Sequence, residues 1–201
     1  MPVITVVKTQ KFKRGVNIYL DGKYAFGLDL ENFLKFGLKV GYELSEGQIA
    51  EITKKAEFQK ILDRLLMFAT LRPRSEKEIN DWMKRKRVNE SIKMGLLEKI
   101  NDLDLLNDRK FAKWWVDQRI SFKNKSLRDL EYELRNKGIA KDVISEVLDK
   151  TEVDELGSAK KLIEKNNYKW SGFSGSIARQ KKRAFLARKG FTWDAIKRAT
   201  E

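Results

Sequence analysis

The sequence predicts a mainly helical protein: three tandem three-helix repeats behind a small module that contains a β-hairpin. Three observations predict it. The first is a helical phrase that recurs at nearly constant spacing. One copy runs through Leu130, Leu134, Lys137, Gly138 and Ile139, with Ile144 beyond it; the other runs through Lys182, Leu186, Lys189, Gly190 and Phe191, with Ile196 beyond it. A weaker copy lies upstream in Ile79, Met83, Lys86, Arg87 and Val88. Val88 precedes Ile139 by 51 residues and Ile139 precedes Phe191 by 52. Such spacing marks a tandem helical array, an architecture that more often binds than catalyses. The second observation is helical periodicity from Gln48 onward. The third is Asp21-Gly22 between two alternating apolar runs, a hairpin signal because a type I′ turn needs positive φ at both central residues.

The elements follow in order. Val3 to Val7 is β-branched, and Val16, Ile18 and Leu20 share one face of an alternating run, so residues 1–27 read as strands. A short helix starts at Asp29 and stops at Gly37; Gly41 marks a turn, and Ser45 with Gln48 forms a capping box. This N-terminal module spans 1–50. In the first repeat, 51–106, Phe58, Ile61, Leu62, Leu65, Leu66, Phe68 and Ala69 form one stripe. Arg72, Pro73 and Arg74 break it, and Ser75 caps the next helix with Glu78 at the capping-box position. A further helix from about Asn89 carries Ile92, Leu96, Leu97 and Ile100. The second repeat, 107–150, opens with Asp108 as N-cap, then Phe111, Trp114, Trp115 and Val116. Ser126 caps its second helix, Gly138 ends it, and a third helix runs from Lys141 to about Lys150. The third repeat, 151–201, begins near Val153. Residues 166–175 form a long, flexible connection, a second helix runs from about Ser176 to Lys189, and Thr192 caps a short last helix.

Composition removes several function classes. The chain has 201 residues, 41% hydrophobic and 36% charged, with no Cys and no His. Disulfides, Cys/His zinc sites, Ser-His-Asp triads and Cys-His dyads are therefore excluded. No apolar run approaches a membrane span, no signal-peptide core is evident, and no Gly-rich phosphate loop occurs. The expectation is a cytoplasmic, non-enzymatic protein with no cofactor, no metal and no membrane partner. Asp102, Asp104 and Asp108 cluster in sequence, but an inter-helix turn and a cap account for them without a metal. Net charge is +14, and residues 151–201 alone hold 12 basic and 6 acidic side chains. An excess of that size steers polyanions or acidic protein surfaces toward the chain.

The candidate contact residues follow from that charge. The second helix of the third repeat carries Arg179, Lys181, Lys182, Arg183, Arg188 and Lys189 with no acid among them. Around Phe185 and Leu186 these cations flank an apolar seam, as in a helix buried on one side that offers positive charge around the rest. Lys84, Arg85, Lys86 and Arg87 occupy the corresponding place in the first repeat, more cations than a helix C-terminus requires. Arg128 and Arg135 continue the pattern in the second repeat, diluted by Asp129, Glu131 and Glu133. Of the adjacent Trp114 and Trp115, one faces the core and the other is a partial surface anchor or an inter-repeat contact.

These residues also carry a family resemblance. Leu105, Leu106, Asn107, Asp108, Phe111, Ala112, Val116 and Arg119, followed by Leu130, Glu133, Leu134, Lys137, Gly138 and Ile139, resemble the central signature of the RecX family, regulators of the RecA recombinase. The entry from Arg72 to Ile79 and the ending Lys189, Gly190, Phe191 are similar too. The hairpin with Asp21, Gly22, Phe26 and Leu28, then Leu38 and Gly41, looks like the N-terminal extension of longer members. The resemblance implies an elongated, curved, monomeric array. It implies a partner, the RecA filament on single-stranded DNA, whose groove the protein enters, inhibiting ATP hydrolysis, strand exchange and filament growth in recombination and DNA repair. The candidate contacts to RecA or to DNA are the cations named above together with Arg119, and direct DNA contact is possible. The family supplies no catalytic residue to carry over. One departure is Lys182 where the other copy has Leu130, which leaves the packing register of the last repeat open. The alternative reading is an independent basic helical module that binds DNA or RNA.

Overall fold

The structure is a computed structural model that describes residues 1–11 and 15–201. The strand reading of 1–27 includes 12–14, which lie outside the described residues. The described chain is mainly helical with one small antiparallel sheet, as the sequence predicts. By contact it groups into two compact units. The first comprises 1–71 and 88–99, the second 72–87 and 100–201.

In the first unit, β1 (Ile4–Thr9), β2 (Gly15–Leu20) and β3 (Lys23–Asp29) pair antiparallel in the order β1-β2-β3. The β2–β3 turn has φ 48 at Asp21 and 79 at Gly22, both positive as a tight primed hairpin turn demands. Helix α1 (Leu30–Lys35) is capped by Asp29, whose carboxylate accepts the Asn32 amide, and Gly37 at φ 60 ends it. Helix α2 (Glu46–Thr70) begins in a complete capping box between Ser45 and Gln48. Ile4, Val16, Ile18, Phe26, Leu28, Leu38, Leu44 and Ile52 form one buried cluster that ties the sheet to the start of α2. Helix α4 (Glu90–Asp102) approaches α2 closely at Gly95, where an added Cβ would lie 3.2 Å from the Phe58 ring.

The second unit holds α3 (Glu76–Arg85), α5 (Asp108–Lys123), α6 (Leu127–Asn136), α7 (Lys141–Asp149), α8 (Glu155–Lys165), α9 (Gly175–Arg188) and α10 (Trp193–Ala199). Phe111, Ala112, Trp115, Val116, Leu130, Leu134, Ile139, Ile144 and Val147 make the buried core of α5, α6 and α7. Ala159, Leu186, Phe191 and Ile196 make a smaller one under α8, α9 and α10.

Four local expectations change. The cap of α5 is Asn107, which accepts the Lys110 amide; Asp108 is the first helical residue and reaches another helix instead. Ser75 accepts the Glu78 amide, but the Glu78 carboxylate turns to Arg72 and Lys137, so the box stays half-formed. Thr192 stands at the N-cap of α10 with its hydroxyl donated to Glu155. The connection read as flexible, 166–175, contains a 3-10 turn (Asn167–Lys169) and successive turn hydrogen bonds that seat Trp170, 7% exposed. Trp170 also resolves the register question. Leu186 is fully buried like Leu134, while Lys182 is half-buried with its ammonium 5.8 Å from the Trp170 ring centre. The indole thus stands beside the position that Leu130 fills one repeat earlier.

Gly138 and Gly190 end α6 and α9 in Schellman geometry. Ile139 and Phe191 donate back to the carbonyls of Leu134 and Leu186 and are themselves buried. Arg87 occupies the matching place after α3 with φ 52, so positive φ alone does not demand glycine in this phrase. Room does. A Cβ on Gly138 would lie 2.8 Å from the Lys77 Cβ, and one on Gly190 3.0 Å from the Ser126 Oγ. Gly138→Ala is accordingly expected to cost about 2 kcal/mol through left-handed strain plus this clash. The check is thermal unfolding, with a midpoint lowered by roughly 4–8 °C.

Candidate functional site

The glycine clashes report a repeated junction between second helices. The Ser75 hydroxyl donates to the Lys137 carbonyl at 2.8 Å, and the Ser126 hydroxyl donates to the Lys189 carbonyl at 2.7 Å. Both serines are fully buried. Each also accepts a backbone amide three residues on, so one hydroxyl caps the start of its own helix and the end of the next repeat's. A second bond accompanies each junction. Asp108 Oδ1 accepts the Glu76 amide at 2.8 Å, and Glu155 Oε1 accepts the Leu127 amide at 3.0 Å. The residue that opens the first helix of the following repeat, Asp108 or Glu155, thus takes the first helical N–H of the preceding second helix. By these bonds α3 meets α6 and α6 meets α9, N-terminus to C-terminus. Contact therefore groups α3 with the later helices, which is a separate matter from repeat boundaries read by periodicity.

On those three helices lie nearly all of the candidate cations. Lys84, Arg85, Lys86 and Arg87 are exposed at the end of α3. Arg128 and Arg135 are exposed on α6, and Arg135 is paired with Glu131. Arg179, Lys181 and Arg188 are exposed on α9, whereas Lys182 and Arg183 are half-buried. Arg183 Nε donates to the Thr200 hydroxyl at 3.0 Å and its guanidinium lies 6.0 Å from the Trp193 ring centre, so it also ties α9 to the chain's end. Among the described residues, only Arg119 and Arg135 of the candidate set have a carboxylate within 4.0 Å.

Arg119 stands apart, on α5. Its Nε donates to Glu133 at 2.6 Å and its guanidinium lies 4.0 Å from the Trp115 ring centre. The Trp115 indole N–H donates to the same carboxylate, and Lys125 pairs with it at 3.1 Å. The Lys137 ammonium also lies 4.7 Å from the Trp115 ring centre and bonds Glu78 at 2.7 Å, which Arg72 also grips. Trp115 is the core member of the tryptophan pair at 9% exposure; Trp114 is partly exposed beneath the Arg72 guanidinium, 5.2 Å away. Arg119, Glu133 and Lys137 thus act inside the molecule, threading charge past an indole, and the two cations among them are already engaged by carboxylates. Asp104 is paired with Lys110, which accounts for the aspartate grouping together with the roles of Asn107 and Asp108.

The arrangement with most unanswered charge is on α9. Lys169, Trp170, Phe173, Ile177, Gln180, Lys181, Ala184 and Arg188 line an open groove of about 830 Å³. Phe173 is 44% and Ile177 46% exposed, and the Lys181 ammonium rests 4.4 Å from the Phe173 ring centre. No acid lines the groove. Sequence reasoning found Lys181 and Arg188 but missed Lys169, Trp170, Phe173, Ile177 and Gln180. The available signal was Trp170 and Phe173 closing the connection just before an acid-free helix.

The N-terminal 2–45 match the family model for the regulatory protein RecX N-terminal domain. Residues 107–148 match the RecX second three-helix domain, and 152–200 match the third. Regulatory protein RecX of Bacillus subtilis (strain 168) is 37% identical over 203 residues, spanning all of this chain and 77% of its own length. This chain belongs to the RecX family. The Listeria welshimeri RecX is 31% identical, again over the whole of this chain and 75% of its own. A crystal structure of regulatory protein RecX superposes with a TM-score of 0.73 at 30% identity over 98% of both chains. Family membership therefore covers the sheet module and the helical repeats alike. No helix among the described residues is long and apolar enough to cross a membrane.

Proposed function

We propose that this RecX-family chain regulates the RecA recombinase. It binds in the groove of the RecA filament on single-stranded DNA and mainly inhibits ATP hydrolysis, strand exchange and filament growth. The observation that carries this reading is likeness, over the whole of this chain, to proteins named as RecX regulators. The charge distribution supports it. Exposed cations without carboxylate partners gather on second helices linked end to end, a surface suited to a long polyanionic assembly. The chain acts without cofactor, as a monomer, in the cytoplasm where such filaments form. The test is RecA ATPase and strand exchange on single-stranded DNA with this protein at substoichiometric ratios. Inhibition is expected well below one protein per RecA, because blocking a growing filament end silences many subunits. Unchanged rates up to equimolar protein would refute the reading.

A further inference from the structure

We propose that the α9 groove is a binding site for single-stranded nucleic acid, in which a base stacks on Phe173 while phosphates meet Lys169, Lys181 and Arg188. This goes beyond the regulatory reading and does not rest on it, since it concerns a bare strand with no recombinase present.

Four observations favour a nucleic-acid strand. The three cations of the groove have no carboxylate partner among the described residues, and the whole of α9 lacks an acid. A site of that kind lowers its own electrostatic energy only by taking an anion. Lys181 and Arg188 are seven residues apart, two helical turns, so they lie on one face about 10 Å apart along the axis with small Ala184 between them. That leaves a floor between two phosphate-binding positions. Phe173 offers a partly exposed ring with the Lys181 ammonium over it, 4.4 Å from the ring centre, so an aromatic surface and a cation meet at one place and a base that stacks there finds the ammonium at hand for its phosphate. Gln180 adds an amide that both donates and accepts, which suits a base edge. An acidic amphipathic helix is the poorer fit. It needs a continuous apolar trough for anchors at i, i+4 and i+7, whereas among the lining residues only Phe173 and Ile177 are large apolar side chains with substantial exposure, and Ala184 adds a single methyl.

The test is fluorescence anisotropy of a short labelled oligothymidylate titrated with the full chain at several salt concentrations. Three neutralised phosphates predict a slope of log affinity against log salt of about −2. Phe173→Ala is expected to weaken binding about tenfold with the slope unchanged, because stacking is not a counterion effect. Lys181→Ala and Arg188→Ala are each expected to flatten the slope by about 0.7. Both cations are exposed, so these variants should keep the wild-type melting curve and carry the test even if Phe173→Ala disturbs packing. Wild-type affinity and slope in the two cation variants would overturn the proposal. So would an oligothymidylate that fails to bind while a synthetic acidic amphipathic peptide binds and loses affinity in the same variants; the groove would then be a protein-docking surface. RecA inhibition is scored separately, so either reading can fail alone.

Discussion

Glu155→Ala is expected to lower stability by about 3 kcal/mol, since three hydrogen bonds to one charged acceptor disappear together. Glu155 is 8% exposed at the start of α8. One oxygen takes the Leu127 amide; the other takes the Thr192 amide at 3.2 Å and its hydroxyl at 2.6 Å. Alanine strands the first amide of α6, which no carbonyl of that helix can reach. It also frees the link from α6 through α8 to the turn before α10. Thr192 is exposed, and water recovers part of the loss there. A fall in melting temperature of roughly 6–12 °C should follow for a chain of this size. Glu155→Gln should lie between, because its amide nitrogen faces donors. The matching residue, Asp108, is partly exposed and accepts one amide, that of the exposed Glu76, so Asp108→Ala is expected to cost about 1 kcal/mol or less. Equal losses at the two sites would show that the third-repeat contact is no tighter than the second.

The architecture was legible because it rests on local chemistry. Asp21-Gly22 can turn only one way, Ser45 with Gln48 closes a box within four residues, and Gly138 and Gly190 end helices wherever they stand. Longer-range partners were not. Ser75 and Ser126 read as ordinary caps, and their second hydrogen bonds reach 62 and 63 residues along the chain. Glu78 looked like half of a capping box because no local signal shows that Lys137, 59 residues away, competes for its carboxylate. The repeated glycine was first a helix stop; the structure adds that it makes room for the preceding repeat's helix, a close approach that leaves no mark in a single repeat.

The candidate surface was legible in charge but not in company. Counting cations located α3 and α9, and the family resemblance added Arg119, whose guanidinium is held by Glu133 and Trp115. Separation of 14 residues hides that pairing, because the two lie on different helices. The groove was missed for the opposite reason. Gly172 and Gly175 made the segment before α9 read as slack, whereas burial of Trp170 against Phe185, ring centres 5.4 Å apart, fixes it and sets Phe173 beside Lys181.

Acid should weaken the molecule through the two carboxylates that flank Trp115. Glu78 and Glu133 have side chains only 13% and 22% exposed. Burial pushes both carboxyls up. Hydrogen bonds and charge from Arg72 and Lys137 at Glu78, and hydrogen bonds from Arg119, Lys125 and Trp115 with the Lys125 charge at Glu133, outweigh it and hold both below the usual carboxylate range. In the unfolded chain a glutamate titrates near about 4.3. Above that value both states are ionised and the stabilisation is fully present. As pH falls from about 5, the unfolded chain takes up protons first, so stability drops until the depressed folded values are passed. Glu78→Gln with Glu133→Gln should therefore cost about 2–3 kcal/mol at neutral pH, less than a fully buried pair because water reaches both sites. The double variant should lose little more below pH 5, and its urea midpoint should converge on that of the wild type near pH 3. Glu51, Asp104 and Glu146, lowered by hydrogen bonds from Lys55, Lys110 and Lys150, remain in both proteins and supply a shared residual slope. Parallel curves that never converge would mean that the two carboxylates act through packing alone, and the charges around Trp115 would then have no part in holding α3, α5 and α6 together.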